Sequence, residues 1–309
     1  MRGGINTTEA IERYCEVRKR LPEAAHPKTT VYVNNLDDLA DQFDLFVLDG
    51  FGVLNVGATS IAGAAERIES LRNAGKVVVV LTNGATSPTA KTVAKYAGWD
   101  MSFDETSVIS SRDALIHGLK QHGRDAMKWG VAGTSFAALD QLPGQCFLLE
   151  DDDEAYAQCD GFILLSALDW TSHRQNKLVE SLRQHARPVL VGNPDLVAPH
   201  PDGLSLEPGW FAHLVADEFA NEPQAQTIEP VFFGKPFANA FDVVTRRYPG
   251  FAPERIAMVG DSPHTDILGG AAVGWRTVLI QQHGLCKSHD LESVFKQSGI
   301  RPDFVATTT

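Results

Sequence analysis

The sequence predicts an α/β fold in which a parallel sheet is interrupted by an inserted second α/β unit. Three observations carry this. Apolar runs at Phe43–Leu48, Val77–Leu81 and Ile256–Val259 each end in a polar turn, as strands buried on both faces do. Helical stretches alternate with them, which is the grammar of a parallel sheet. The alternation breaks off over 124–228 and resumes at Val231.

Each element has a local reason. Asn6-Thr7-Thr8-Glu9 has capping-box spacing, so a helix is expected from there to about Leu21. Phe43–Leu48 delivers Asp49-Gly50. The helix Ile61–Asn73 is stopped by Gly75, and Val77–Leu81 delivers Thr82-Asn83-Gly84. In the second half, Val231–Phe233 leads to Gly234-Lys235-Pro236 and a helix. Ile256–Val259 leads to Gly260-Asp261-Ser262, Asp266 opens another helix, and Arg276–Ile280 reads as a closing strand. The insert holds strand-like pieces at Phe147–Leu149, Gly161–Leu165 and Pro188–Val191 and a helix over His173–His185. The expected domains are a helical extension at 1–34, a core formed by 35–123 and 229–309, and an inserted domain at 124–228.

The chain of 309 residues has room for two domains of ordinary size. Hydrophobic residues make up 43% and charged residues 21%, which places it among globular proteins and outside the disordered class. The net charge of −12 argues against nucleic acid or an anionic membrane as partner. An anionic ligand must therefore be drawn in by local cations or a metal. The cysteines at 15, 146, 159 and 286 form no C-x-x-C pair, so neither a zinc site nor a thioredoxin-like motif is indicated. The first 20 residues lack the apolar segment of a signal peptide, and a cytoplasmic, soluble protein is expected. The acidic run Glu150–Glu154 reads as a solvated loop.

In parallel sheets ligands bind beyond the carboxyl ends of the strands. Four such ends carry distinctive groups: the Asp49 carboxylate, the Thr82 hydroxyl, the Lys235 ammonium and the Asp261/Asp266 pair. Separated carboxylates suit Mg²⁺, and a hydroxyl with an ammonium suits the equatorial oxygens of a transferring phosphoryl group. Competing motifs fail. Gly50-Phe51-Gly52-Val53-Leu54-Asn55 lacks the third glycine of a dinucleotide fingerprint, and neither a P-loop nor a G-x-S-x-G elbow occurs.

Taken in order, Leu48-Asp49-Gly50-Phe51-Gly52-Val53-Leu54, Leu81-Thr82-Asn83, Gly234-Lys235-Pro236 and Gly260-Asp261-Ser262-Pro263-His264-Thr265-Asp266 resemble the four motifs of the haloacid dehalogenase (HAD) superfamily. The insert is similar to a C2-type cap. Gly192-Asn193-Pro194-Asp195 with Glu207-Pro208-Gly209 resembles the NagD-like class IIA signature. The resemblance implies a Rossmann-like core and a phosphatase or phosphotransferase acting on a small phosphorylated metabolite. Asp49 would be the nucleophile. Thr82, Asn83 and Lys235 would bind phosphate. Mg²⁺ would be held by Asp49, the Phe51 backbone carbonyl and Asp261, with Asp266 behind them. A homo-oligomer formed through the cap is also expected.

One position departs from the family pattern D-x-D-G. Phe51 stands where the general acid/base is usual, as in a class IIA subgroup with an aromatic residue there. Proton transfer to the leaving group is then missing, and such catalysis is worth about 10²–10⁴-fold. His264 is the candidate substitute acid or an ordinary loop histidine. Asp266 could instead cap a helix, and Asn193 and Asp195 are either cap contacts to substrate or turn formers. The alternative function is a HAD-fold protein that binds a phosphate ligand without turning it over.

Overall fold

The computed structural model describes residues 5–200, 203–221 and 227–309. Seven parallel strands form one sheet, in the spatial order Val31–Val33, Phe304–Ala306, Arg276–Ile280, Ile256–Gly260, Leu45–Leu48, Val77–Thr82 and Val108–Ser110. The Leu45–Leu48 strand is fully buried, and its alternate side chains enter two different cores. Phe46 and Leu48 join Val78, Val80 and Ile68 on one face; Leu45 and Val47 join Val79, Leu81 and Phe241 on the other. Burial on both faces is why the strand has no polar alternation.

A second parallel sheet runs in the order Val231–Phe232, Val189–Val191, Gly161–Leu164, Lys128–Ala132 and Gln145–Leu148. It corrects one expectation. Val231–Phe232 is an edge strand of this sheet, paired with Leu190 and Val191, and not a strand of the sheet that holds Asp49. A short apolar run looks the same in either sheet; only its partner decides. The two sheets share a core. Trp129, Val131, Ile163 and Leu190 of the second sheet belong to the same buried cluster as Val47 and Leu81 of the first, with Leu115 and Phe241 from the intervening helices.

The capping box forms as expected: Asn6 Oδ1 accepts from the Glu9 N–H at 3.0 Å and Glu9 Oε2 from the Asn6 N–H at 2.8 Å. The helix it starts, Thr7–Glu16, ends five residues before Leu21, and a 3₁₀ turn at Arg18–Arg20 follows. An antiparallel hairpin, Val197–His200 with Gly203–Leu206, stands apart from both sheets. Among the described residues, no helix is long and apolar enough to cross a membrane.

Candidate active site

Register brings the site together. Leu48 lies beside Val259 on one flank and Val80 on the other. The next residues along these strands put Asp49, Asp261 and Thr82 at one end of the sheet. Lys235 arrives from the other side, on the turn that leaves the edge of the second sheet. Its ammonium lies 2.6 Å from Asp49 Oδ1 and 2.6 Å from Asp266 Oδ1.

Two glycines make this approach sterically feasible. Gly52 has φ +70°, and a Cβ there would collide with the Asp261 side chain. Gly234 has φ +134°, and its Cβ would fall 2.6 Å from Asn83 Oδ1. Both positions favour glycine on backbone grounds as well.

Each expected residue has a distinct setting. Asp49 Oδ1 accepts from the Gly50 N–H at 2.7 Å. Thr82 Oγ1 accepts from the Gly84 N–H at 3.1 Å. Asp261 accepts from the Ser262 hydroxyl and from the Leu285 N–H, each at 2.9 Å. Asp266 lies inside a π-helical turn, Pro263–Ile267, and does not open the helix, which begins at Leu268. Its Oδ2 accepts from the backbones of Asp261 and Ser262 at 3.2 and 3.1 Å, while its other oxygen faces Lys235.

Asn83 contributes more than a backbone. Its Oδ1 accepts from the Lys235 N–H at 2.8 Å, and its Nδ2 donates to the Lys235 carbonyl at 2.9 Å and to Asp195 Oδ1 at 2.8 Å. The side chain thus fixes the lysine and ties it to the 193–195 turn. Asn193 Oδ1 accepts from the Asp195 N–H at 2.9 Å, so it does shape that turn. Both Asn193 and Asp195 also line the cavity above Asp49.

His264 is not brought to this cavity. It is fully buried, stacked on Tyr14 with ring centroids 4.7 Å apart and 4.0 Å from Cys15 Sγ. Burial pushes its pKa down to about 3, so near pH 7 it is a neutral imidazole without the acidic imidazolium proton a leaving group would need. Its place in the loop suggested otherwise because the N-terminal helix that covers it is remote in sequence.

Burial also pushes the Asp49 and Asp261 carboxyls above the usual range, and the neighbouring carboxylates reinforce it. Lys235 behaves oppositely. Burial lowers its pKa, but Asp266 and Asp49 outweigh that and hold the ammonium charged. The Lys235 ammonium pairs with Asp49 and Asp266, while the carboxylates of Asp49, Asp261 and Asp266 bring oxygens within 4.8 Å of one another. This buried excess of negative charge fits a divalent cation with oxygen ligands.

The cavity has a volume of about 570 Å³ and is lined by Asp49, Phe51, Thr82 and Asn83 on one side and by the hairpin residues Val197–His200 and Gly203–Leu206 on the other. Phe51 faces His200, 6.4 Å between centroids, with Lys95 Nζ 5.7 Å from its ring. Burial lowers the Lys95 pKa to about 8. Lys95 and Tyr14 belong to no sequence motif, since their importance comes from neighbours distant in the chain; Glu207 is part of the cap signature, but only the fold places it on the cavity wall.

Comparison with known proteins agrees with this geometry. Residues 46–140 match the family described as haloacid dehalogenase-like hydrolase, and residues 232–308 match a HAD-hydrolase-like family. The chain is 26% identical over 292 residues to phosphoglycolate phosphatase 2 of Arabidopsis thaliana, covering 89% of this chain and 94% of that protein. It is 29% identical over 291 residues to the glycerol-3-phosphate phosphatase of Homo sapiens, covering 86% and 88%. Among solved structures, it resembles a HAD-superfamily protein from Cytophaga hutchinsonii with a TM-score of 0.76 at 23% identity, covering 90% and 98%. It resembles the 4-nitrophenylphosphatase of Thermotoga maritima with a TM-score of 0.68 at 22% identity, covering 87% and 96%. With 46–140 and 232–308 both matched and the four motifs gathered around Asp49, the chain belongs to the haloacid dehalogenase-like hydrolases.

Proposed function

We propose that the protein is a Mg²⁺-dependent phosphomonoester hydrolase whose nucleophile is Asp49. The observation that carries this is the Asp49 carboxylate on the wall of the cavity, paired with a fully buried lysine and flanked by Thr82 and two further aspartates. The names of the relatives, phosphatases of small phosphate esters, support the same reading.

Asp49, Asp261 and the Phe51 carbonyl would hold Mg²⁺, with Asp266 behind them. The ion, when bound, neutralises charge on the phosphoryl oxygens. The chain supplies the rest. Asp49 attacks phosphorus, forming an aspartyl-phosphate and releasing the alcohol oxygen with its electron pair. The Thr82 hydroxyl donates to a phosphoryl oxygen. Lys235 favours the ionised form of Asp49 against its burial and orients it, and Asn83 holds Lys235 in place. Segment 124–228 acts as the cap, and its hairpin keeps bulk water from the reacting atoms. Phe51 offers no proton, so the leaving oxygen departs unassisted and esters of acidic alcohols react fastest.

The test is steady-state hydrolysis of 4-nitrophenyl phosphate by wild type and Asp49→Asn, with Mg²⁺ and with EDTA. Turnover should require both the metal and the carboxylate. Phe51 favours a second reading, a phosphate-ligand protein that no longer turns over. Binding of phosphate or vanadate in a thermal-shift assay, with no hydrolysis of any ester, would select it.

A further inference from the structure

The titratable side chains on the described cavity wall are all carboxyl groups apart from one imidazole. The described residues that line it include the carboxyl groups of Asp49, Asp195, Glu207 and Asp261 and no lysine or arginine. Lys235 is held by Asp49 and Asp266 and is 1% exposed. Lys95 lies against the Phe51 ring and is not on the described wall. His200 is the single nitrogen base on that wall.

Asp49 and Asp261 belong to the cradle. Asp195 and Glu207 stand on the wall with Asn193 and the hairpin residues Val197–His200 and Gly203–Leu206, where the organic part of an ester held at the cradle would extend. Glu207 is aimed by two fixed donors. Ser205 Oγ donates to its Oε1 at 2.7 Å, and Asn193 Nδ2 to its Oε2 at 3.3 Å. Each oxygen keeps a further lone pair. The same wall is otherwise apolar there, with Val197, Ala198, Leu204 and Leu206. Burial pushes the Glu207 carboxyl up to about 7. A neighbouring cation would favour its ionised form, and a neighbouring anion would oppose it.

We propose that this wall selects phosphomonoesters whose organic part carries an ammonium group and rejects those that carry a carboxylate, with Glu207 as the ammonium's partner. A carboxylate placed here would face two acids with no described lysine or arginine on the wall to meet it. An ammonium would complete a charge-assisted pair whose carboxylate is already oriented. The inference rests on the phosphatase reading only for where the phosphate end sits.

Isothermal titration at neutral pH with Mg²⁺ tests it on non-hydrolysable ligands. 2-Aminoethylphosphonate is compared with phosphonoacetate, and 3-aminopropylphosphonate with 3-phosphonopropionate. The aminoalkyl member of a pair should bind at least roughly tenfold tighter. Glu207→Gln, isosteric and uncharged, should shrink that preference at least about fivefold. The wild-type comparison needs no variant, so it decides the matter even where Glu207→Gln does not fold. Equal or tighter binding of the carboxylated ligands, binding of neither pair, or an unchanged preference in folded Glu207→Gln overturns the inference. Turnover of 4-nitrophenyl phosphate in the same preparation reports separately on the phosphatase reading. Its absence beside an intact amine preference would sink that reading and leave this one standing.

Discussion

Replacing Phe51 by aspartate would put a carboxyl group where the cavity wall now carries a ring between Lys95 and His200. That carboxyl could protonate the leaving oxygen and then deprotonate the water that attacks phospho-Asp49. Phe51→Asp should raise kcat by about 10²-fold, within what general acid/base catalysis supplies. The gain should be larger on an alkyl phosphate than on an aryl phosphate, because an alkoxide is the stronger base. Steady-state kinetics on both esters check this, and a flat response in a folded variant would count against the role assigned to position 51. A second residue-scale effect concerns acid stability. Burial pushes the His213 pKa down to about 3, with Arg20 and Arg13 adding to it, against roughly 6.5 in an unfolded chain. Between these values the unfolded chain binds the extra proton. Stability from this group is therefore complete above about pH 6.5 and is lost as pH falls, by up to about 1.4 kcal/mol per pH unit. Urea midpoints between neutral and mildly acid pH should fall less steeply for His213→Gln than for wild type.

The N-terminal helix Thr7–Glu16 is the element whose role the sequence left blank. Tyr14 accepts from the Leu196 N–H at 3.1 Å and stacks on His264. It thereby ties the 193–196 turn to the loop that carries Asp261 and Asp266. Arg20 adds an ion pair to Asp217 at 2.7 Å, and Arg13 pairs with the same carboxylate; Asp217 lies on the helix Pro208–Ala220 that follows Glu207. This helix is thus a brace across both sides of the cavity. Tyr14→Phe keeps the stack and leaves a buried N–H without its acceptor, which should cost about 1–3 kcal/mol. Urea unfolding measures that cost. A KM change in the same variant would show that the brace also sets the position of the 193–196 turn. The capping box and the buried strands were legible because their signals are local. The pairing of Val231–Phe232 was not, because strand partners are chosen across the fold.

At the scale of the molecule, Mg²⁺ held as proposed among Asp49, Asp261 and Asp266 would offset their buried negative charge and so couple metal binding to folding. Mg²⁺ at about 100 times its Kd should stabilise the protein by roughly 2.7 kcal/mol. Thermal unfolding with Mg²⁺ and with EDTA measures this, and Asp261→Asn should lose most of the shift. The shared core between the two sheets predicts that unfolding remains a single transition. The sequence by itself determined the α/β class, the inserted second unit and the four polar strand ends, because strand burial and motif order are properties of short segments. Tertiary structure decided the rest. It carried Lys235 in from the second sheet, removed His264 beneath Tyr14 and set Glu207 into the cavity wall. Those outcomes depend on which distant surfaces pack together, and burial then fixes which side chains keep a proton, a charge or access to a ligand.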